Sequence, residues 1–193
     1  MNCFEDVVWQ KIGSKKPAGV SEKLIASIKE GAKVLDIGCA SGDTAELIDN
    51  SVEYYGLDKS EKLIKQAKYK RLKAKFFVGD AENINFADES FDYILSECTL
   101  SLCNTEKTAN EINRLLKPKG MLLISDVYYD LRLINRFVNQ GFKLVFFEEQ
   151  KEAWKQFVLQ LIWEGIEIEN KQNGDLSYFI AILQKEKRIC KKN

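Results

Sequence analysis

Residues Val34-Leu35-Asp36-Ile37-Gly38-Cys39-Ala40-Ser41-Gly42 carry the most chemistry in this chain. An apolar strand over Lys33 to Ile37 runs into a turn of small residues, and a helix carrying Leu47 and Ile48 follows. Gly38 and Gly42 lack a Cβ, so the backbone can turn tightly and a ligand can lie against it. The helix start then offers unpaired N–H groups and a partial positive charge. Such a turn suits a polar small molecule at the carboxyl end of a strand, although an ordinary strand-to-helix turn has the same ingredients. Ala40 and Asp43 stand where a dinucleotide fingerprint has glycine, and no phosphate-loop Gly-Lys-Ser/Thr follows. What remains is the spacing of Asp36, Gly38 and Gly42.

Two further strand ends carry matching chemistry. Tyr54-Tyr55-Gly56-Leu57-Asp58 closes the next apolar run, with Asp58 22 residues after Asp36. An acidic residue about 20 positions past a glycine turn can accept both hydroxyls of a ribose. Asp58 also suits a helix N-cap. The third is Phe77-Val78-Gly79-Asp80-Ala81-Glu82. An adenine ring needs an acceptor for its amino group and a donor for a ring nitrogen. The Asp80 carboxylate and the Ala81 amide supply both in the right order.

These loops need a frame. Apolar runs near 33–37, 53–57, 75–79, 91–96 and 120–127 alternate with helical patterns such as Leu63, Ile64 and Ala67 after Ser60. Ala109, Ile112, Leu115 and Leu116 share a face before Pro118 stops the helix. This alternation predicts an α/β fold, a parallel sheet covered by helices on both sides. After a helix near 131–140 that ends at Gly141, the rhythm breaks. A strand over Phe142 to Phe147, a helix carrying Trp154, Phe157, Val158, Leu161 and Ile162, and a strand over Leu176 to Leu183 follow, the last after a turn at Asn173-Gly174. The Trp154 stripe reads as core. The two closing strands would put an antiparallel strand at the sheet edge.

Composition narrows the function further. The 193 residues suit one domain, with residues 1–20 as an appendage, 21–184 as the body and 185–193 as a basic tail. Lys+Arg and Asp+Glu are both 29, which argues against a broad basic field for nucleic acid. There is no histidine, so imidazole acid–base steps, Ser-His or Cys-His pairs and His-ligated zinc are excluded. Five cysteines, with no C-x-x-C and no long apolar run, point to a reduced cytoplasmic setting without a membrane span.

Taken together, Val34 to Gly42, Gly56-Leu57-Asp58, Gly79-Asp80-Ala81-Glu82, Ser90-Phe91-Asp92-Tyr93-Ile94 and Leu116-Lys117-Pro118-Lys119-Gly120 resemble the class I S-adenosylmethionine-dependent methyltransferases. The likeness is to the small type similar to the C-methyltransferases of ubiquinone and menaquinone biosynthesis. It runs from Lys33 to Val127 and more weakly to Leu183. It implies a Rossmann-like, doubly wound seven-stranded sheet whose last strand is antiparallel, and S-adenosyl-L-methionine as cofactor. It also implies that Asp36 and the Gly38–Gly42 backbone, Ala40 included, face the methionine end. Asp58, with Lys59 beside it, would hold the ribose; Asp80 and Ala81 would hold the adenine; Ser96 and Glu97 would border the reacting methyl. Ala40 and Lys119 depart from the family pattern, each standing where glycine is usual.

An already activated methyl donor mainly requires alignment and exclusion of water. The acceptor is an unidentified small molecule, expected beyond Ser96 to Ser101 and Asp126 to Tyr129. Glu97 is the candidate base or orienting carboxylate, with a helix cap or a solvated charge as the plainer alternative. Cys98 and Cys103 can face a soft acceptor or sit buried. Tyr128 and Tyr129 can wall the acceptor or pack. Asp126 and Asp130 are too few for a metal, and none is expected. The N-terminal segment, with Phe4, Trp9 and Pro17, is expected to act as a lid. Two rival readings stand beside the enzyme: a non-catalytic protein binding S-adenosylmethionine or its product, and a nicotinamide dehydrogenase, which the absent third glycine disfavours.

Overall fold

The computed structural model describes residues 15–70, 73–128, 131–166 and 177–186. Expectations resting on Cys3, Phe4, Trp9, Tyr129, Asp130, the Asn173-Gly174 turn, Cys190 and the side chain of Tyr128 fall outside those residues. The elements run in order α1 (Val20–Ile25), β1 (Lys33–Ile37), α2 (Asp43–Leu47), β2 (Glu53–Asp58), α3 (Glu61–Lys70), β3 (Lys75–Val78) and β4 (Phe91–Glu97). A short 3-10 turn (Leu100–Leu102) leads to α4 (Thr105–Leu115), β5 (Leu116–Tyr128), α5 (Arg132–Asn139), β6 (Phe142–Glu149), α6 (Lys151–Trp163) and β7 (Ser177–Lys185).

Seven strands form one sheet in the order β3-β2-β1-β4-β5-β7-β6. β3, β2, β1, β4 and β5 pair in parallel, while β7 runs antiparallel to both neighbours. The chain moves outward from β1 through β2 to β3, then returns to lay β4 on the other side of β1. The carboxyl ends of β1 and β4 therefore flank a point where the direction of winding reverses, which opens a crevice there.

The inner parallel strands β1, β2, β4 and β5 are apolar on both faces because helices cover both, whereas the edge strand β3 buries only Phe76. On one face Leu35, Ile37, Ile94, Leu122 and Ile124 pack with Ala109, Ile112 and Leu115 of α4 and Phe137 of α5. On the other, Val34, Tyr54, Leu95 and Leu123 pack with Val20 and Leu24 of α1 and Ile64 and Ala67 of α3. Strand alternation sends Asp36 to this second face, beside Tyr54.

The antiparallel strand is not at the edge, as the sequence led us to expect. β7 is inserted between β5 and β6, and β6 forms the edge. Burial explains the order: Tyr178, Phe179, Ile180, Ala181 and Leu183 of β7 are buried, whereas Lys143, Leu144, Val145 and Phe146 of β6 are exposed. The Trp154 stripe is narrower than its spacing suggests. Trp154 stacks on Tyr178, and Phe157 and Leu161 are buried, but Ile162 is exposed. β5 begins four residues before the apolar run, because Leu116 already pairs with Phe91 ahead of a register shift. No helix among the described residues is long and apolar enough to cross a membrane.

Candidate active site

The glycine turn is fastened to the end of β2. Gly38 and Cys39 donate their amides to the Leu57 carbonyl at 2.7 and 3.0 Å. The Asp58 carboxylate then ties two loops together, accepting from Ala40 N at 3.0 Å and from Ser60 N at 2.8 Å. Asp58 is thus a loop brace and a cavity wall, and the helix cap falls instead to Ser60, whose hydroxyl accepts from Leu63 N at 3.3 Å. Ala40 sits at φ 46°, in the left-handed region that glycine normally fills.

Gly38 and Gly42 serve different needs. A Cβ on Gly38 would lie 2.0 Å from Thr99 Oγ1, so the loop after β4 rests directly on this turn. A Cβ on Gly42 would meet Ala67 Cβ at 3.0 Å and Phe76 Cζ at 3.1 Å. Gly42 therefore admits α3 and β3 to close packing and does not reach the cavity wall.

A cavity of about 340 Å³ opens at this rim, walled by Asp36, Gly38, Ala40, Thr44, Asp58 and Glu97, with Lys15 and Lys16 from the N-terminal segment. A second, of about 200 Å³, adjoins it through the shared walls Gly38, Asp58, Thr99 and Leu102 and reaches Lys59, Gly79 and Ala81. Asp80 stands beside the second, its carboxylate accepting from Glu82 N at 2.9 Å and pairing with Lys59 at 3.2 Å. The Glu82 amide, with Lys59 beside it, holds the Asp80 carboxyl below its ordinary range.

Two carboxylates are buried in the larger cavity. Asp36 accepts a hydrogen bond from Tyr54, and burial pushes its pKa up to about 7 against that bond. Glu97 collects four donors. Lys16 Nζ and Thr44 Oγ1 each reach Oε1 at 2.7 Å; Ser21 Oγ reaches Oε2 at 2.8 Å and Ser125 Oγ at 3.4 Å. Behind it, Tyr178 donates to Ser125 at 3.1 Å and pairs with Cys98 Sγ at 2.9 Å. Burial drives the Cys98, Cys103 and Tyr178 values upward, so these groups keep their protons at neutral pH. Cys98 also holds φ 53°, a strained conformation at the strand end nearest the cavity.

The structure thus gathers Asp36, Gly38, Ala40, Asp58, Lys59, Ala81 and Glu97 around adjoining cavities, with Asp80 at their margin. It separates Ser96, which is fully buried and has no hydrogen-bond partner for its hydroxyl among the described residues. Asp126, on β5, braces the turn that follows β4, accepting from Ser101 N and Oγ at 3.0 and 2.8 Å. Lys16, Ser21 and Thr44 were missed, and Thr99 was covered only by the expected stretch Ser96 to Ser101, with no role of its own. Lys16 and Ser21 lie far from Glu97 in sequence and carry no local signal. Thr44, in the first turn after Gly42, stood within reach of the same helix-start argument.

The profile of the family described as "Methyltransferase domain" matches residues 28–175. A demethylmenaquinone methyltransferase of Thermotoga maritima is 39% identical over 100 residues, 49% of this chain and 43% of that protein. An uncharacterised protein of Methanocaldococcus jannaschii is 36% identical over 121 residues, 61% of this chain and 47% of that one. The chain therefore spans less than half the length of either relative. The geranyl diphosphate C-methyltransferase of Streptomyces coelicolor A3(2), solved with magnesium, geranyl diphosphate and S-adenosyl-L-homocysteine, shares the fold. It superposes with a TM-score of 0.75 at 12% identity, covering 86% of this chain and 79% of that one. With the family profile covering most of its length, the fold matched and the strand-end motifs in place, this chain belongs to the methyltransferase-domain family, of the class I S-adenosylmethionine-dependent type.

Proposed function

We propose that this protein transfers a methyl group from S-adenosylmethionine to a small-molecule acceptor, with S-adenosylhomocysteine as the by-product. The observation that carries the reading is the convergence of Asp36, Asp58 and the Asp80-Ala81 pair at the carboxyl ends of β1, β2 and β3.

The residues present fit such a cofactor. A wall bearing Asp36, Asp58 and Glu97 suits a ligand with positive charge, and the two cavities together give an elongated space for a nucleoside joined to an amino acid. Asp80 and the Ala81 amide would take the adenine, Asp58 the ribose, and Asp36 with the Gly38–Ala40 backbone the methionine end. When bound, the cofactor supplies a methyl group made electrophilic by a sulfonium. Thr99, lying over Gly38, and Leu102, which lines both cavities with it, would exclude water from the reacting end.

Glu97 orients in this reading; it does not abstract a proton. Both of its oxygens are engaged by two donors each, and its removal would release Lys16, Ser21 and Thr44. Cys98 and Tyr178 keep their protons, so neither serves as a ready base. The favoured acceptors are those already nucleophilic as bound, through an anionic, amine or soft atom.

The test is turnover of S-adenosylmethionine carrying a labelled methyl group, against a panel of carbon, nitrogen, oxygen and sulfur acceptors. Label transfer to one class, with S-adenosylhomocysteine formed in equal amount, is expected. Binding without transfer across the panel would favour a non-catalytic binding protein instead.

A further inference from the structure

The larger cavity is acidic. Asp36, Asp43, Asp58 and Glu97 line it, and Lys15 and Lys16 are the cations on its wall among the described residues. The two lysines are turned to different work. Lys15 pairs with Glu164 just past the end of α6, on the outside of the fold. Lys16 reaches inward. Its ammonium meets Glu97 Oε1 at 2.7 Å and Thr44 Oγ1 at 2.6 Å, and its side chain is only 20% exposed.

This arrangement is a fixed cation, not a floating surface charge. Glu97 is itself locked by Ser21 of α1 and Thr44 of α2, so the Lys16 ammonium is presented from a rigid base. An ammonium has three donor hydrogens, and two are used here. Among the described residues nothing takes the third, which leaves it for a ligand. The methionine end of the proposed cofactor is a zwitterion. Its cationic parts suit Asp36 and Asp58, but its carboxylate would meet only like charge along that wall unless a cation answers it.

We infer that Lys16 recognises the α-carboxylate of the cofactor's methionine end, with Glu97 and Thr44 positioning its ammonium. The inference rests on the proposed function and deepens it. It also gives the N-terminal segment a defined role, in which residues 15–19 carry a ligand contact into the cavity and α1 seals behind it through Ser21.

The test uses two ligands that share an adenosyl group and differ at the amino-acid end. S-adenosylhomocysteine carries the carboxylate; 5′-deoxy-5′-methylthioadenosine lacks the whole amino-acid end. Affinities of both are measured by calorimetry for the full chain and for Lys16→Met, Lys16→Arg and Thr44→Val. Lys16→Met is expected to weaken S-adenosylhomocysteine by about ten- to a hundredfold, the value of a charge-assisted hydrogen bond, and to leave methylthioadenosine within about twofold. Lys16→Arg should recover much of the loss, and Thr44→Val should fall between. Equal loss for both ligands would make Lys16 a mere strut and overturn the inference, as would no loss for either. If the unaltered protein takes up neither ligand, the adenosyl reading of the site fails first, and this inference with it.

Discussion

Tyr54 donates its phenolic hydrogen to the Asp36 carboxylate from inside the core, so the carboxylate one residue before the end of β1 is held by the strand beside it. Tyr54 is fully buried and its own ionisation is pushed far upward, chiefly by desolvation. The bond is therefore a neutral donor to a carboxyl that burial keeps close to half-protonated at neutral pH.

This pair gives a pH dependence with a defined sign. Asp36 titrates at about 7 in the folded chain against an ordinary 3.8, so folding favours its protonated form. That contribution is full below about pH 4 and is lost as the pH rises through 7. Asp36→Asn should therefore gain on the unaltered protein between pH 5 and pH 8, by up to a few kcal/mol in denaturant unfolding, since a tenfold change in proton affinity is worth roughly 1.4 kcal/mol. A stability difference that does not change with pH would contradict this account.

Ligand binding should carry the opposite trend. A cationic ligand beside Asp36 favours its ionised form, so affinity for S-adenosylmethionine should rise with pH up to about 7 and then level. Tyr54→Phe removes the bond that lowers the Asp36 value and should move the inflection to higher pH. Calorimetric titrations across the range check both, and an unmoved inflection in Tyr54→Phe would count against the link.

The two glycines of the turn should separate in their effects. Gly38→Ala forces a methyl group into Thr99 over the shared wall of the cavities, and should abolish S-adenosylhomocysteine binding as well as lower stability by about 1–3 kcal/mol. Gly42→Ala presses on Ala67 and Phe76 and should lower the melting temperature with a smaller effect on affinity. Thermal unfolding alongside titration distinguishes them.

Ala40 and Lys119 both hold left-handed backbone, at φ 46° and 67°. Replacing either with glycine should stabilise the fold by up to about 1 kcal/mol, less the extra freedom glycine gives the unfolded chain. Lys119→Gly, at the opposite rim of the sheet, should leave ligand affinity unchanged. A melting temperature that falls in both variants would show that these residues contribute contacts outweighing the strain.

Glu97→Ala should destabilise by roughly 3 kcal/mol, because it strands a part-buried ammonium and two buried hydroxyls. Glu97→Gln keeps acceptor and shape and should cost less than half of that in thermal unfolding. If instead both variants fold with unchanged stability and lose only turnover, Glu97 is a proton acceptor and not a brace.

The sequence carried the strand-end chemistry well, for a physical reason. Parallel strands buried on two faces read as apolar runs, and the residue closing each run lies at the carboxyl rim, so the order of residues alone puts Asp36, Asp58 and Ala81 there. Alternation was harder to apply at a strand's last residues. Ser96 and Glu97 are adjacent, yet successive side chains point to opposite faces, and only Glu97 reaches the cavity. Periodicity identifies strands without naming their neighbours, which is why the insertion of β7 between β5 and β6 was not legible. Lys16 and Ser21 escaped because their value lies in contacts made 81 and 76 residues away.

The most direct test of the account is a titration of the full chain and of Asp58→Ala with S-adenosylhomocysteine. Asp58 braces Ala40 and Ser60 and walls both cavities, so one saturable site is expected in the unaltered protein, with affinity lost in a variant that still melts cooperatively. Absence of binding by the unaltered protein, or equal binding by the variant, would contradict the claim that these loops form an adenosyl-cofactor site.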